Sequence, residues 1–176
     1  DGICDLNGNV WEWNAGMRLV DGEIQIIPYN NAAMGSKCDM SASSTLWKAI
    51  KADGSLVEPG TAGTLKWDWV SGKIQLTSGA ITYKTDSGVG GQYKDMTLAS
   101  GLTAPEIAKM LLLYPDEPNG DYAGDYHWFN PVGERLPVCG GSWGNGASAG
   151  VFHLNLSFPR SSADWIIGFR SAFVDL

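Results

Sequence analysis

The stretch LKWDWVSGKIQLTSG, residues 65–79, constrains the chain most, because it commits the polypeptide to β-structure. Trp67 and Trp69 fall two apart and share one face, as strand alternation requires. Ser71-Gly72 supplies a two-residue turn, and Ile74 and Leu76 return on a partner strand, which together predict a hairpin. GEIQIIPY (22–29) alternates in the same way and predicts a short strand. TAPEIAKMLLLYP (103–115) predicts a helix: Thr103 and Glu106 have capping-box spacing, Pro105 suits the first turn, and Pro115 ends it. SASSTLWKAIKADG predicts a second, short helix from Ser43 to Ala52, stopped by Asp53-Gly54. Near the end, 150–156 and 166–174 read as strands flanking the loop SFPRSSAD.

Strands mixed with few helices point to an α+β domain with much irregular backbone, spanning 1–176 as a single unit. Composition agrees. The chain holds 23 Gly and 8 Trp with only 18% charged residues, which suits loops pinned by large side chains better than a helical bundle. A net charge of -7 disfavours a nucleic-acid binder, whose phosphate contacts need a basic face. The longest apolar candidate for a span, Met110–Tyr114, is far short of the roughly 18 residues that cross a bilayer, so no membrane insertion is expected. Cys4, Cys38 and Cys139 are too few and too scattered for a disulfide framework, and an odd count leaves a free thiol. The chain begins at Asp1 without Met, and is expected to be the C-terminal part of a longer protein.

Residues 140–170, GGSWGNGASAGVFHLNLSFPRSSADWIIGFR, are unusual. Small residues alternate with large ones, and Lys, Glu, Gln and Met are absent. GNVWEW at Gly8–Trp13, with GGSW at Gly140–Trp143 and IGFR at Ile167–Arg170, resembles the formylglycine-generating-enzyme type of C-type lectin fold. The tail is similar to one branch of it, the variable proteins of diversity-generating retroelements. The resemblance implies a small twisted antiparallel sheet, paired N- and C-terminal strands, and one or two helices. It also implies a place on a phage tail or a bacterial cell surface.

In that branch, Asn codons of the form AAY in a template repeat are scrambled at their adenines and copied into the 3′ end of the gene. Laid on that pattern, Ser142, Gly144, Ser148, Ser157, Phe158, Ser162, Asp164 and Ile166 resemble substituted positions, and Asn145 and Asn155 unsubstituted ones. His153 and Trp165 are candidates as well. Scrambled AAY codons cannot give Lys, Glu, Gln, Met or Trp, so Trp165 is either fixed scaffold or derives from AGG or AAG. Trp143, Val151, Phe152, Leu154, Leu156, Ile167 and Phe169 belong to the retained frame and are expected to hold a core. The candidate variable residues, small or polar for the most part, are expected to face outward. Phe158 and Trp165 are the expected aromatic anchors, with His153, Asp164 and Asn155 giving polar specificity.

The function this implies is binding of a protein or glycan receptor by a diversified patch, without catalysis. A non-variable lectin-like structural module is the alternative, and a degenerate formylglycine-generating-type enzyme a weaker one. The enzymes use cysteines after GGSW, and 144–170 contains none. His127 and His153 lack an evident catalytic partner, and Asp121, Asp125 and Glu134 form no recognisable hydrolase pair. No cofactor is required by this reading. The resemblance allows a structural calcium ion, with Asp5 and Glu12 at side-chain ligand positions and Gly8 and Val10 at carbonyl positions. The Glu-Pro-Asn triplet of DEPNGD, 116–121, follows a helix end and reads as a turn.

Overall fold

The computed structural model describes residues 7–169. Its strands are β1 (Trp11–Trp13), β2 (Met17–Val20), β3 (Glu23–Ile26), β4 (Lys48–Ile50), β5 (Leu56–Val57), β6 (Lys66–Val70), β7 (Lys73–Thr77), β8 (Val89–Gln92) and β9 (Thr97–Leu98). After one short helix, α1 (Glu106–Met110), come β10 (Tyr126–Phe129), β11 (Glu134–Cys139), β12 (Leu154–Phe158) and β13 (Ile167–Gly168). These thirteen strands join in one sheet, nine of them along the path β8-β10-β12-β11-β2-β3-β6-β7-β9, with β1, β4, β5 and β13 paired off it. The sheet is mixed, not the small antiparallel sheet expected: β10 with β12, β7 with β9 and β1 with β13 run parallel.

The hairpin forms as its sequence predicts. Trp67 pairs with Leu76 and Trp69 with Ile74, and Ser71 and Gly72 both take positive φ (52° and 79°) in the turn. Trp67 is fully buried and donates its indole N–H to Leu113 O (3.0 Å). Around it pack Leu19, Ile24, Leu65, Ile74, Leu76, Phe129 and Leu156, the centre of the core.

Both expected helices need correction. SASSTLWKAIKADG forms turns and then β4, which pairs with β3 and β5. Leu46 N donates to Ser44 Oγ (3.2 Å) within the turns, and pairing of Lys48–Ile50 with β3 and β5 overrides the local helical pattern. The helix at 103–115 shrinks to five residues, with Pro105 and not Thr103 at its N-cap. Its end is a Schellman arrangement: Leu113 N reaches Ala108 O (2.8 Å), Leu112 N reaches Lys109 O (3.1 Å), and Leu112 turns left-handed at φ 59°.

The first and last described strands meet. β1 lies between β11, antiparallel, and β13, parallel, with Trp11 opposite Ile167 and Glu12 opposite both Cys139 and Gly168. The expected strand at 166–174 therefore contributes Ile167–Gly168, and its remainder beyond 169 lies outside the described residues. The other tail strand starts at Leu154 instead of 150, because the preceding residues turn: His153 N donates to Gly150 O (3.0 Å), and Phe152 N to the buried Asp125 carboxylate (2.8 Å).

Candidate ligand-binding site

Main-chain bonds hold the tail against the N-terminal GNVWEW segment. Gly8 N donates to Gly140 O (3.0 Å), Trp143 N to Asn9 O (3.0 Å), and Trp11 N to Ile166 O (2.8 Å). None of these three bonds depends on a side chain in 140–166. Small residues of the frame are needed for close packing. A Cβ on Gly150 would overlap the Asp125 carboxylate, and one on Gly141 would lie 2.6 Å from Ala149 Cβ. Gly124 is bound in the same way by the Ala147 carbonyl.

The twelve candidate positions do not share one orientation. Gly144, Asp164 and Trp165 are exposed. Asn145, Ser148, Ser157, Phe158, Ser162 and Ile166 are half-buried. Ser142, His153 and Asn155 are buried, against the expectation that all face outward. The physical reasons differ. Ser142 donates from N (2.7 Å) and Oγ (2.9 Å) to Asn145 Oδ1, which ties a turn. His153 Nδ1 meets Ser148 O at 2.7 Å, and its ring stacks on Trp11 (6.2 Å between centroids). Asn155 belongs to β12, a central strand between β10 and β11, where burial on both faces overrides alternation.

Phe158 is also less available than expected. It sits edge-on to Trp11 (5.1 Å) and Trp13 (6.3 Å), joining the tail to β1. The frame itself splits. Leu154 and Leu156 are core, and Phe152 packs on Tyr93 (6.0 Å) and Tyr122 (5.1 Å). Val151, Trp143 and Phe169 are instead exposed, at 56%, 64% and 81%, so none of the three holds a core. Trp143 packs on Trp165 at 5.5 Å between ring centroids, and this exposed pair, half frame and half candidate, is what sequence reasoning missed.

Arg160, in the loop between β12 and β13, is tied down. Its Nε and Nη2 donate to the two oxygens of Glu134, each at 2.9 Å, and Glu134 also accepts from Arg18 Nη1 (2.9 Å). The Arg160 hydrogen bonds, with Arg18 adding to them, hold the Glu134 carboxyl below its usual range. Arg18 continues inward, donating to Gln25 (2.8 Å) and lying 4.4 Å over the Trp47 ring. A cavity of about 330 Å³ opens beside this network, lined by Trp13, Met17, Met40, Trp47, Leu136, Arg160 and Ser162 among others. A larger one of about 530 Å³ is walled by Met17, Ile26, Ile27, Leu111, Cys139 and Leu154.

The titratable groups weighed for catalysis have structural surroundings. Burial pushes the Cys139 thiol up, which disfavours a thiolate; Asn14 donates weakly to its Sγ (3.7 Å). His127 is fully buried, stacked on Tyr93 (4.4 Å), with Nε2 against Leu112 O (2.9 Å), and burial brings its pKa down to about 3. Burial lowers that of His153 as well. Asp125 is committed to Phe152 N, Glu134 to its two arginines, and Asp121 to the turn at Ala123 N (3.3 Å). Among the GNVWEW residues described, Gly8 turns at φ 77° and Val10 is half-buried, but Glu12 is the one carboxylate; Asp5 and Cys4 lie outside the described residues. No three His, Cys, Asp or Glu side chains gather among the described residues. No helix among the described residues is long and apolar enough to cross a membrane. No protein-family model matches the chain, and no curated protein matches it.

Proposed function

We propose that the chain is a ligand-binding module of C-type lectin type whose tail displays a diversified patch, in the manner of retroelement variable proteins. The observation that carries this reading is the division of labour within the tail. Leu154 and Leu156 serve the core, and Gly141 and Gly150 permit close packing. Gly144, Asp164 and Trp165 face solvent on a backbone pinned by main-chain bonds. Such a backbone tolerates changed side chains and loses little entropy when it binds. The pairing of the first and last described strands through β1 is in keeping with the C-type lectin reading. Calcium at the GNVWEW turn is not needed for any part of this.

Within the reading, the display surface narrows to Gly144, Asn145, Ser148, Ser162, Asp164, Trp165 and the fixed Trp143. Ser142, His153 and Asn155 serve as support in this variant. Their burial also favours the alternative, a lectin-like module with a fixed tail. Sequencing downstream of the gene decides between them. The expected result is a near-copy of 140–170 that mismatches only at adenines, beside a reverse-transcriptase reading frame. A complete genome without such a repeat would sink the diversification reading.

A further inference from the structure

Trp143 and Trp165 are 64% and 76% exposed, yet their rings pack together at 5.5 Å and 39°. A single exposed indole is ordinary; two in mutual contact form a preformed apolar and π-rich platform. Main-chain bonds fix both sides of it, through Trp143 N to Asn9 O and, one residue beyond Trp165, through Ile166 O to Trp11 N.

A carboxylate, Asp164, stands next to Trp165 in sequence. The other charges of the tail are Arg160 and Arg170, the latter outside the described residues. Arg160 is matched by Glu134 through two hydrogen bonds. Asp164 is exposed and adjacent in sequence to Trp165, and among the described residues no ion pair takes it. One of its oxygens accepts from Ile166 N (3.2 Å). The chain as a whole carries -7. An indole face is itself electronegative, so rings and carboxylate favour a cation together.

We infer that the Trp143–Trp165 platform binds a basic side chain, Arg or Lys, presented by a protein partner. The cation lies over an indole face, its alkyl stem covers apolar ring surface, and Asp164 supplies the counter-charge. An acidic segment is repelled there. A neutral sugar can stack on a ring and donate a hydroxyl to Asp164, but such binding would respond little to salt. The inference rests on the display reading only in taking this face as the binding face.

The test is to pan a random peptide library on the immobilised chain and to measure the enriched peptides singly. Enriched peptides should carry an excess of Arg and Lys, and replacing those with Gln should abolish binding. Trp165→Ala should lose it, and Asp164→Asn should weaken it about three- to tenfold, more so at low salt. Both positions are exposed, and a melting curve for each variant checks that it folds. Enrichment of peptides without basic residues, no enrichment at all, or binding unmoved by Asp164→Asn and by salt would overturn the inference. A genome lacking the template repeat while basic peptides still bind removes diversification alone. A repeat without any basic preference removes this inference alone.

Discussion

His127 makes stability depend on pH in a way that can be worked out from its surroundings. Its ring is fully buried between Tyr93 and Trp67, and Nε2 is spent on the Leu112 carbonyl. In the unfolded chain a histidine titrates near 6.5, whereas in the fold burial holds this one near 3. Stability from keeping it neutral is therefore fully present above about pH 6.5 and is lost as the pH falls toward the folded value. Moving from about pH 7 to about pH 5 lets the unfolded state take a proton that the fold refuses, a loss of about 2 kcal/mol. In a domain of this size that lowers Tm by about 4–8 °C. His153 is shifted down for the same reason and acts in the same direction. Glu134, held low by its arginines, contributes stability that is lost only at still lower pH, so it does not mask the effect. Thermal melts across this range should show the loss, and His127→Phe should flatten the slope while lowering the baseline, because Leu112 O loses its donor. Parallel slopes for wild type and variant, or a His127 ring proton that titrates near 6.5 by NMR, would refute the reasoning.

Other outcomes follow from packing. Gly150→Ala should cost about 2–4 kcal/mol, because its methyl overlaps a carboxylate that Phe152 N holds in place; a neutral change in a urea melt would show that Asp125 moves freely. Leu156→Ala should cost about 2–5 kcal/mol, while Trp143→Ala stays within about 1 kcal/mol; chemical denaturation of both checks which face of the tail holds the core. Millimolar calcium should leave the Tm of chelator-treated protein unchanged. A cation at a hundred times its Kd would stabilise by about 2.7 kcal/mol, so a rise of several degrees would restore a calcium site at Glu12.

The hairpin was legible in the sequence because its turn, alternation and aromatic face agree locally: Trp67, Trp69, Ser71 and Gly72 need nothing distant to define them. The pairing of the first and last described strands was expected only from the resemblance that GNVWEW, GGSW and IGFR carry. What failed was set by neighbours far away in sequence. Asn155 looks like a surface residue, but it lies on β12, a central strand flanked by β10 and β11 whose first three residues are all buried. Trp143 looks like core, but its environment is another exposed indole twenty-two residues on. The 43–52 segment has helical spacing, and tertiary pairing of Lys48–Ile50 with β3 wins over it.

The insertion of β1 between β11 and β13 also orders events in time. Among the first residues described, Trp11 waits for Ile167, one of the last, and until then one edge of β1 has no partner. A ribosome must deliver everything between the two before that edge closes, and closing so long a loop is slow. A version of the tail that cannot seat Ile167 would therefore leave a bare strand edge open to other chains and to proteases.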